Sequence, residues 1–100
     1  MAENGRKLLT IVTETAIEQL MLQDLESLGA HGYTVTEARG KGARGVRSAD
    51  WGTNGNIRVE IVCDAQTCER LVKHLQERYY PNYAMILFVA DVSVLRPGKF

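Results

Sequence analysis

The stretch GYTVTEARGKGARGVRS, residues 32–48, joins a strand pattern to a loop rich in glycine and arginine. Large side chains alternate with threonine over residues 33–36, which is the period of a strand with one face in the core. The glycines and cations that follow include Gly40, Lys41, Gly42, Arg44, Gly45 and Arg47. Glycines let backbone N–H groups approach a ligand closely, and arginine side chains bind phosphate oxygens well. We expect this loop to hold an anion, and an ordinary solvated hairpin is the alternative.

The residues before this stretch predict a strand and a helix. KLLTIVT at residues 7–13 is apolar and β-branched, as in a buried strand. Apolar residues then recur at helical spacing through residues 15–29, and Gly29 stands where a helix commonly ends.

The residues after the stretch predict a second strand, a second helix and a last strand. NIRVEIVCD at residues 56–64 alternates with period two, and Asp64 is a candidate N-cap for the helix of residues 65–80. Pro81 ends that helix, and AMILFVADVSVLR at residues 84–96 has the apolar run of a strand.

This order of elements, βαββαβ, predicts an α+β, ferredoxin-like fold with a four-stranded antiparallel sheet and two helices on one face. At 100 residues the chain is expected to be a single domain, residues 1–100. The sheet face without helices must be covered, so we expect an oligomer such as a trimer. The connection of residues 41–55 is long for two adjacent strands, and we expect it to be a flexible, functional loop.

Composition excludes several classes of protein. Lys+Arg and Asp+Glu both number 12, so no overall positive field attracts nucleic acid, and we expect no nucleic-acid partner. The spacing of Cys63 and Cys68 fits no metal site, and we expect reduced thiols. The longest apolar run, residues 84–90, is too short to span a bilayer, which indicates a cytoplasmic protein.

Few side chains in this sequence predict catalysis. His31 and His74 have no nearby nucleophile or metal partner in the pattern, and we expect both at the surface, with no catalytic residue and no metal. Glu60, on the predicted strand, is either a solvated charge or a partner for the loop arginines. Trp51 lies in a polar loop, where it is typical of an anchor for a partner's pocket.

GYTVTEARGKG resembles the end of the second strand and the base of the T-loop in the PII signal-transduction superfamily, and the βαββαβ order agrees over the whole chain. Within this superfamily, the chain resembles more closely the carbon-sensing PII-like (SbtB) family of cyanobacteria. GYTV followed by RGKGARGVRS at residues 39–48 is similar to that family's GYTV and GGKGSRNVRS. RYYPNYA at residues 78–84 is similar to its KYFNDYA-type segment.

The resemblance implies a homotrimer that binds cyclic AMP, AMP, ADP and ATP in clefts between subunits, with or without a divalent cation, and needs no cofactor. The implied nucleotide-binding residues are Thr34, Gly40, Lys41, Gly42, Arg44, Arg47, Glu60, Met85, Ile86 and Leu87. Residues 83–87 take the place of the B-loop and would present backbone groups. The glycine-rich B-loop of nitrogen-sensing relatives is replaced by RYYPNYAMI, which favours AMP and cyclic AMP relative to ATP.

The resemblance also implies a partner, the sodium-dependent bicarbonate transporter SbtA of the carbon-concentrating mechanism, which the T-loop would inhibit. This places the protein in the cytoplasm, peripherally associated with the plasma membrane through the transporter. The expected partner-binding residues are Ser48, Asp50, Trp51 and Asn54. The alternatives are a slow ATP or ADP phosphohydrolase that uses Glu60, and a ferredoxin-like trimer of the metal-tolerance type.

Overall fold

The computed structural model describes residues 5–40 and 55–96. Along the chain the elements are strand β1 (Gly5–Glu14), a 3₁₀ turn (Thr15–Ile17), helix α1 (Glu18–Ser27), strands β2 (Thr34–Ala38) and β3 (Asn56–Cys63), helix α2 (Ala65–Arg78) and strand β4 (Met85–Ser93). In the described residues the strands form one antiparallel sheet of order β2-β3-β1-β4. The predicted βαββαβ fold is confirmed, with β2 and β4 at the two edges.

Local signals set the helix ends. Asp64 accepts a hydrogen bond from the backbone N–H of Thr67 at 2.8 Å, which confirms it as the N-cap of α2. After α1, Gly29 has a φ of +114°, and its N–H donates to the carbonyl of Glu26. The N–H of Ala30 donates to the carbonyl of Leu25, so α1 ends in a Schellman motif that needs glycine at this position.

Alternate residues of the two central strands build the core. Leu9 and Ile11 of β1 and Ile57, Val59 and Ile61 of β3 are buried beneath both helices. The helix residues that complete this layer are Ile17, Met21, Leu25, Cys68, Leu71 and Leu75. The residues of β1 and β3 between these point to the opposite, helix-free face, which we call the open face.

The open face is partly apolar. Phe88 and Ile86 of β4 lie on it and are 50% and 45% exposed. Arg58 and Glu60 of β3 also lie there and form an ion pair at 3.3 Å. A surface that combines large apolar groups with paired charges is suited to contact with copies of itself.

Candidate functional site

One end of the sheet gathers the chain segments that the sequence marks for ligand binding. Ala38, the last residue of β2, is the Cα partner of Asn56, and Asn56 is the partner of Glu14 at the end of β1. Arg39 and Gly40 follow β2 and are exposed. The loop that begins at Gly40 therefore leaves and rejoins the sheet beside the end of β1.

Gly55 lies immediately before β3, where the connection from β2 rejoins the sheet. Its φ of +74° lies in the left-handed region, which favours glycine. Its carbonyl accepts a hydrogen bond at 3.3 Å from the N–H of Thr15. The base of the loop is thus tied to the junction between β1 and α1.

The segment between α2 and β4 is fixed at its two ends. The carbonyl of Tyr79 accepts hydrogen bonds from the N–H groups of Asn82 at 3.1 Å and Tyr83 at 2.9 Å. At the other end, the N–H of Ala84 donates to Oε2 of Glu14 at 3.0 Å, and the hydroxyl of Thr13 donates to the Ala84 carbonyl at 3.0 Å. The predicted B-loop, residues 83–87, begins at the end of this segment, and its Ala84 is held by the same end of β1 that contacts Gly55.

A polar cluster on the helix side anchors Tyr79. The buried Tyr79 donates from its hydroxyl to Oδ2 of Asp24 at 2.7 Å. His74 Nε2 hydrogen-bonds to the same oxygen at 3.0 Å, and Arg78 Nε lies 3.2 Å from it. Burial would raise the pKa of the Asp24 carboxyl, but the hydrogen bonds from His74 and Tyr79, with the charge of Arg78, hold this pKa below its usual value. The sequence predicted a surface position for His74 and missed its contact with Asp24, which arises because α2 packs against α1.

The sheet brings Thr34 and Glu60 together, because they are Cα partners in the β2–β3 pair. Within the described residues Glu60 accepts a hydrogen bond from Arg58 Nη2 at 3.3 Å. Both Thr34 and Glu60 lie four residues along their strands from the Ala38–Asn56 pair, a distance of about 13 Å. They are therefore not at the loop end of the sheet within one protomer.

Met85, Ile86 and Leu87 begin β4 and pair with Thr13, Val12 and Ile11 of β1. The side chains of Met85 and Leu87 pack against the core, whereas Ile86 is exposed on the open face. Because β4 is an edge strand, alternate backbone groups of this stretch point away from the sheet. These backbone groups, rather than the Met85 and Leu87 side chains, are available to a ligand.

The remaining predicted residues lie outside the described ranges. They are Lys41, Gly42, Arg44, Arg47, Ser48, Asp50, Trp51 and Asn54. The structure therefore places only the two ends of the predicted loop, at Gly40 and Gly55.

Strands β2 and β4 lie at opposite edges of the sheet, which limits the ligands that can contact both strands. They are separated by two strands, so Gly40 and Met85 lie at opposite edges, about 14 Å apart across the sheet. A single phosphate group cannot touch both strands of one protomer. A site in which one phosphate group contacts both a β2 strand and a β4 strand requires that the two strands belong to different subunits.

Other chemistry is limited within residues 5–40 and 55–96. No group of three or more His, Cys, Asp or Glu side chains there is placed to hold a metal ion. Cys63 and Cys68 are buried free thiols, and burial, together with the neighbouring Cys68, raises the pKa of Cys63 to about 12. No helix in this part of the chain is long and apolar enough to cross a membrane.

Fold and site together define a small βαββαβ protein in which the end of β1 contacts both Gly55, before β3, and Ala84, before β4. Residues 6–99 match the family described as Nitrogen regulatory protein P-II. The chain belongs to this P-II family.

Solved structures agree with this assignment. A protein of Thermus thermophilus described as a putative PII-like signalling protein is 44% identical, with 96% of this chain and 95% of that one covered and a TM-score of 0.82. CPII of Thiomonas intermedia K12, bound to ADP and bicarbonate, is 26% identical, with 96% and 94% covered and a TM-score of 0.82. A CPII structure with ADP, AMP and bicarbonate is 24% identical, with 93% and 96% covered and a TM-score of 0.77, and shows likeness of fold.

Proposed function

We propose that this P-II family protein is a homotrimeric sensor that binds adenine nucleotides in clefts between its subunits. The observation that carries the proposal is the arrangement at the end of β1, where Glu14 and Thr13 hold Ala84 and Thr15 holds Gly55. One short junction thereby contacts both segments that the sequence marks for nucleotide binding. The structure of CPII with ADP and bicarbonate supports this choice of ligand class.

In the proposed site, the phosphates lie against Gly40, Lys41, Gly42, Arg44 and Arg47 of one subunit. We place the site in a cleft between subunits because β2 and β4 of one subunit lie at opposite edges of its sheet. Thr34, about 13 Å from the loop end, would meet the base from a neighbouring subunit, and Glu60, its strand partner, would lie beside the cleft. Backbone groups of Met85, Ile86 and Leu87 complete the site.

We propose AMP, cyclic AMP, ADP and ATP as the ligands, with a divalent cation as an additional variable for ATP. A calorimetric titration with each nucleotide, with and without Mg²⁺, tests this directly. Combined reversal of charge, Arg44→Glu with Arg47→Glu, should abolish binding, because two cations that hold phosphate become anions that repel it. Lys73→Glu, an exposed reversal on α2, is the control and should bind like the natural protein. Undiminished affinity in the double variant would contradict the assignment.

We further propose that the bound nucleotide sets the state of the loop of residues 41–55, and that this loop inhibits the bicarbonate transporter SbtA. A nucleotide with unequal affinity for two loop states must shift their populations, and affinity for the partner changes by the same linkage. The resemblance of residues 39–48 and 78–84 to the carbon-sensing (SbtB) family supports this partner. The structure of CPII with ADP and bicarbonate supports a link between nucleotide binding and bicarbonate. The protein would then act in the cytoplasm and associate with the membrane through the transporter.

The partner proposal has its own test. SbtA in detergent is immobilised, and retention of the protein is measured without nucleotide and with AMP, cyclic AMP or ADP. Trp51→Ala should reduce retention without changing nucleotide affinity, because Trp51 is proposed to contact the partner. Retention that is equal for all nucleotides, and for Trp51→Ala, would contradict control of SbtA through this loop.

A further inference from the structure

The carboxylate of Glu14 accepts a hydrogen bond from a backbone N–H group, that of Ala84, at the proposed site. Glu14 is the last residue of β1, and its Oε2 accepts the N–H of Ala84 at 3.0 Å in a partly buried position. Thr13, one residue earlier, donates its hydroxyl to the carbonyl of the same residue. Both polar backbone groups of Ala84 are therefore held by consecutive side chains of β1.

A carboxylate on a backbone N–H resembles a bound anionic ligand. Proteins commonly hold phosphate and carboxylate oxygens with backbone N–H groups, so Glu14 supplies from within the chain the type of oxygen that a nucleotide would bring. Ala84 immediately precedes the stretch of β4 whose backbone is proposed to meet the nucleotide. Glu14 and a phosphate would compete for the same region.

The negative charge of Glu14 has no counter-ion in the part of the chain that the structure describes. None of the ion pairs among these residues includes it, although Lys7, Arg58, His74 and Arg78 all pair with acids elsewhere. A partly buried carboxylate repels an approaching phosphate more strongly than an exposed one, because water screens it less. Its hydrogen bond stabilises the segment while its charge opposes anionic ligands.

We propose that Glu14 is an internal competitor for the ligand's anionic group: its carboxylate accepts the Ala84 N–H and is displaced from it when a nucleotide phosphate binds. This inference rests on the nucleotide site proposed above. It makes Glu14 a residue that sets the affinity for charged ligands, and it gives the β1–α1 junction a role in signalling. Thr15, the next residue, donates to the carbonyl of Gly55, so displacement of Glu14 is transmitted to the point at which the loop of residues 41–54 rejoins the sheet.

The test separates the charge of Glu14 from its hydrogen bond. Glu14→Gln keeps an oxygen that accepts the Ala84 N–H but removes the negative charge, and we expect AMP to bind on the order of tenfold more tightly. ADP should gain more than AMP, since it carries more negative charge. The affinity for adenosine, which has no phosphate, should not change. The gain for AMP should shrink at high salt.

Glu37→Gln is the matched control. Glu37 is an exposed acid one residue before the Ala38–Asn56 pair, at the same end of the sheet. This control should change AMP affinity less than about twofold if Glu14 acts through its specific place on Ala84 and not through the general field of the protein. An equal gain in both variants would overturn the inference.

Two further results distinguish failure of this inference from failure of the proposed function. If the natural protein, Glu14→Gln and Glu37→Gln all bind no nucleotide, both the proposed function and this inference fall. If the natural protein binds AMP and Glu14→Gln binds it equally or more weakly, the nucleotide site stands and the competition is refuted.

The coupling has a separate measurement, in the natural protein followed by ¹⁵N NMR. Addition of AMP should move the amide resonances of Ala84 and Gly55 along the same titration curve. In Glu14→Ala, which lacks the hydrogen bond, the shift at Gly55 should be smaller. A Gly55 shift of equal size in Glu14→Ala would overturn the proposed route.

Discussion

The hydroxyl of Tyr79 donates a hydrogen bond to Oδ2 of Asp24 at 2.7 Å and so fixes the end of α2 against α1. The same tyrosine accepts the N–H groups of Asn82 and Tyr83 on its carbonyl. Its ring lies 5.9 Å from that of Tyr83, centroid to centroid. Tyr79 therefore holds the path from the second helix to β4 with both its side chain and its carbonyl.

We expect Tyr79→Phe to lower the free energy of unfolding by about 1.5 kcal/mol, because it removes one hydrogen bond to a charged group and keeps the ring. Urea denaturation followed by circular dichroism measures this. Tyr80→Phe, an exposed tyrosine next in the chain, is the control and should be neutral. A Tyr79→Phe variant as stable as the control would show that the contact contributes nothing.

The Asp24 cluster also predicts how stability depends on pH. The pKa of this carboxyl is below its ordinary value of 3.8 in the folded protein. An acid whose pKa is lowered by folding binds protons more readily when unfolded, so its contribution to stability is present above about pH 4 and is lost as pH falls through the folded pKa. We expect Asp24→Asn to be less stable than the natural protein at about pH 6 and to lose less stability between about pH 5 and pH 3. Glu69→Gln, an exposed change on α2, should keep the natural slope.

Much of the fold could be predicted from the sequence, because the ends of the helices depend on residues that are close together in the chain. Gly29 ends α1 and Asp64 caps α2 through contacts within five residues. The order of elements follows from alternation and helical spacing alone. These features need no knowledge of which strands pair.

The contacts that define the candidate site could not be predicted in the same way. Glu14 meets Ala84 across 70 positions of sequence, and His74 meets Asp24 across 50. Such pairs depend on strand order, register and the packing of one helix on another. The composition of the glycine and arginine loop is enough to predict that it binds an anion. Only the β2–β3 register shows that Thr34 and Glu60 are paired, and that this pair lies away from the loop end of the sheet.

Gly55 offers a test of the loop base that does not depend on any ligand. We expect Gly55→Ala to destabilise the protein by about 1 kcal/mol, because an L-residue is strained at a φ of +74°. A Cβ there would lie 3.5 Å from the Thr15 hydroxyl, an ordinary contact, so backbone strain is the cause. Gly32→Ala is the matched control, since Gly32 has no positive φ and its Cβ would meet nothing within 4 Å. Equal thermal midpoints for both variants would contradict the conformational role of Gly55.

The open face predicts a difference between two adjacent residues of β4 in the proposed trimer. Phe88 is 50% exposed on the open face, and Val89, 46% exposed, points to the helix side of the same strand. If the open face is buried between subunits, Phe88→Glu places a charge in an apolar contact and should shift the protein to monomers. Val89→Glu adds the same charge at nearly the same exposure and should leave the assembly intact. Sedimentation velocity over a range of protein concentrations measures both. Because the two side chains differ mainly in the face they occupy, equal dissociation of the variants would mean that charge alone weakens assembly, and two intact trimers would mean that another surface joins the subunits.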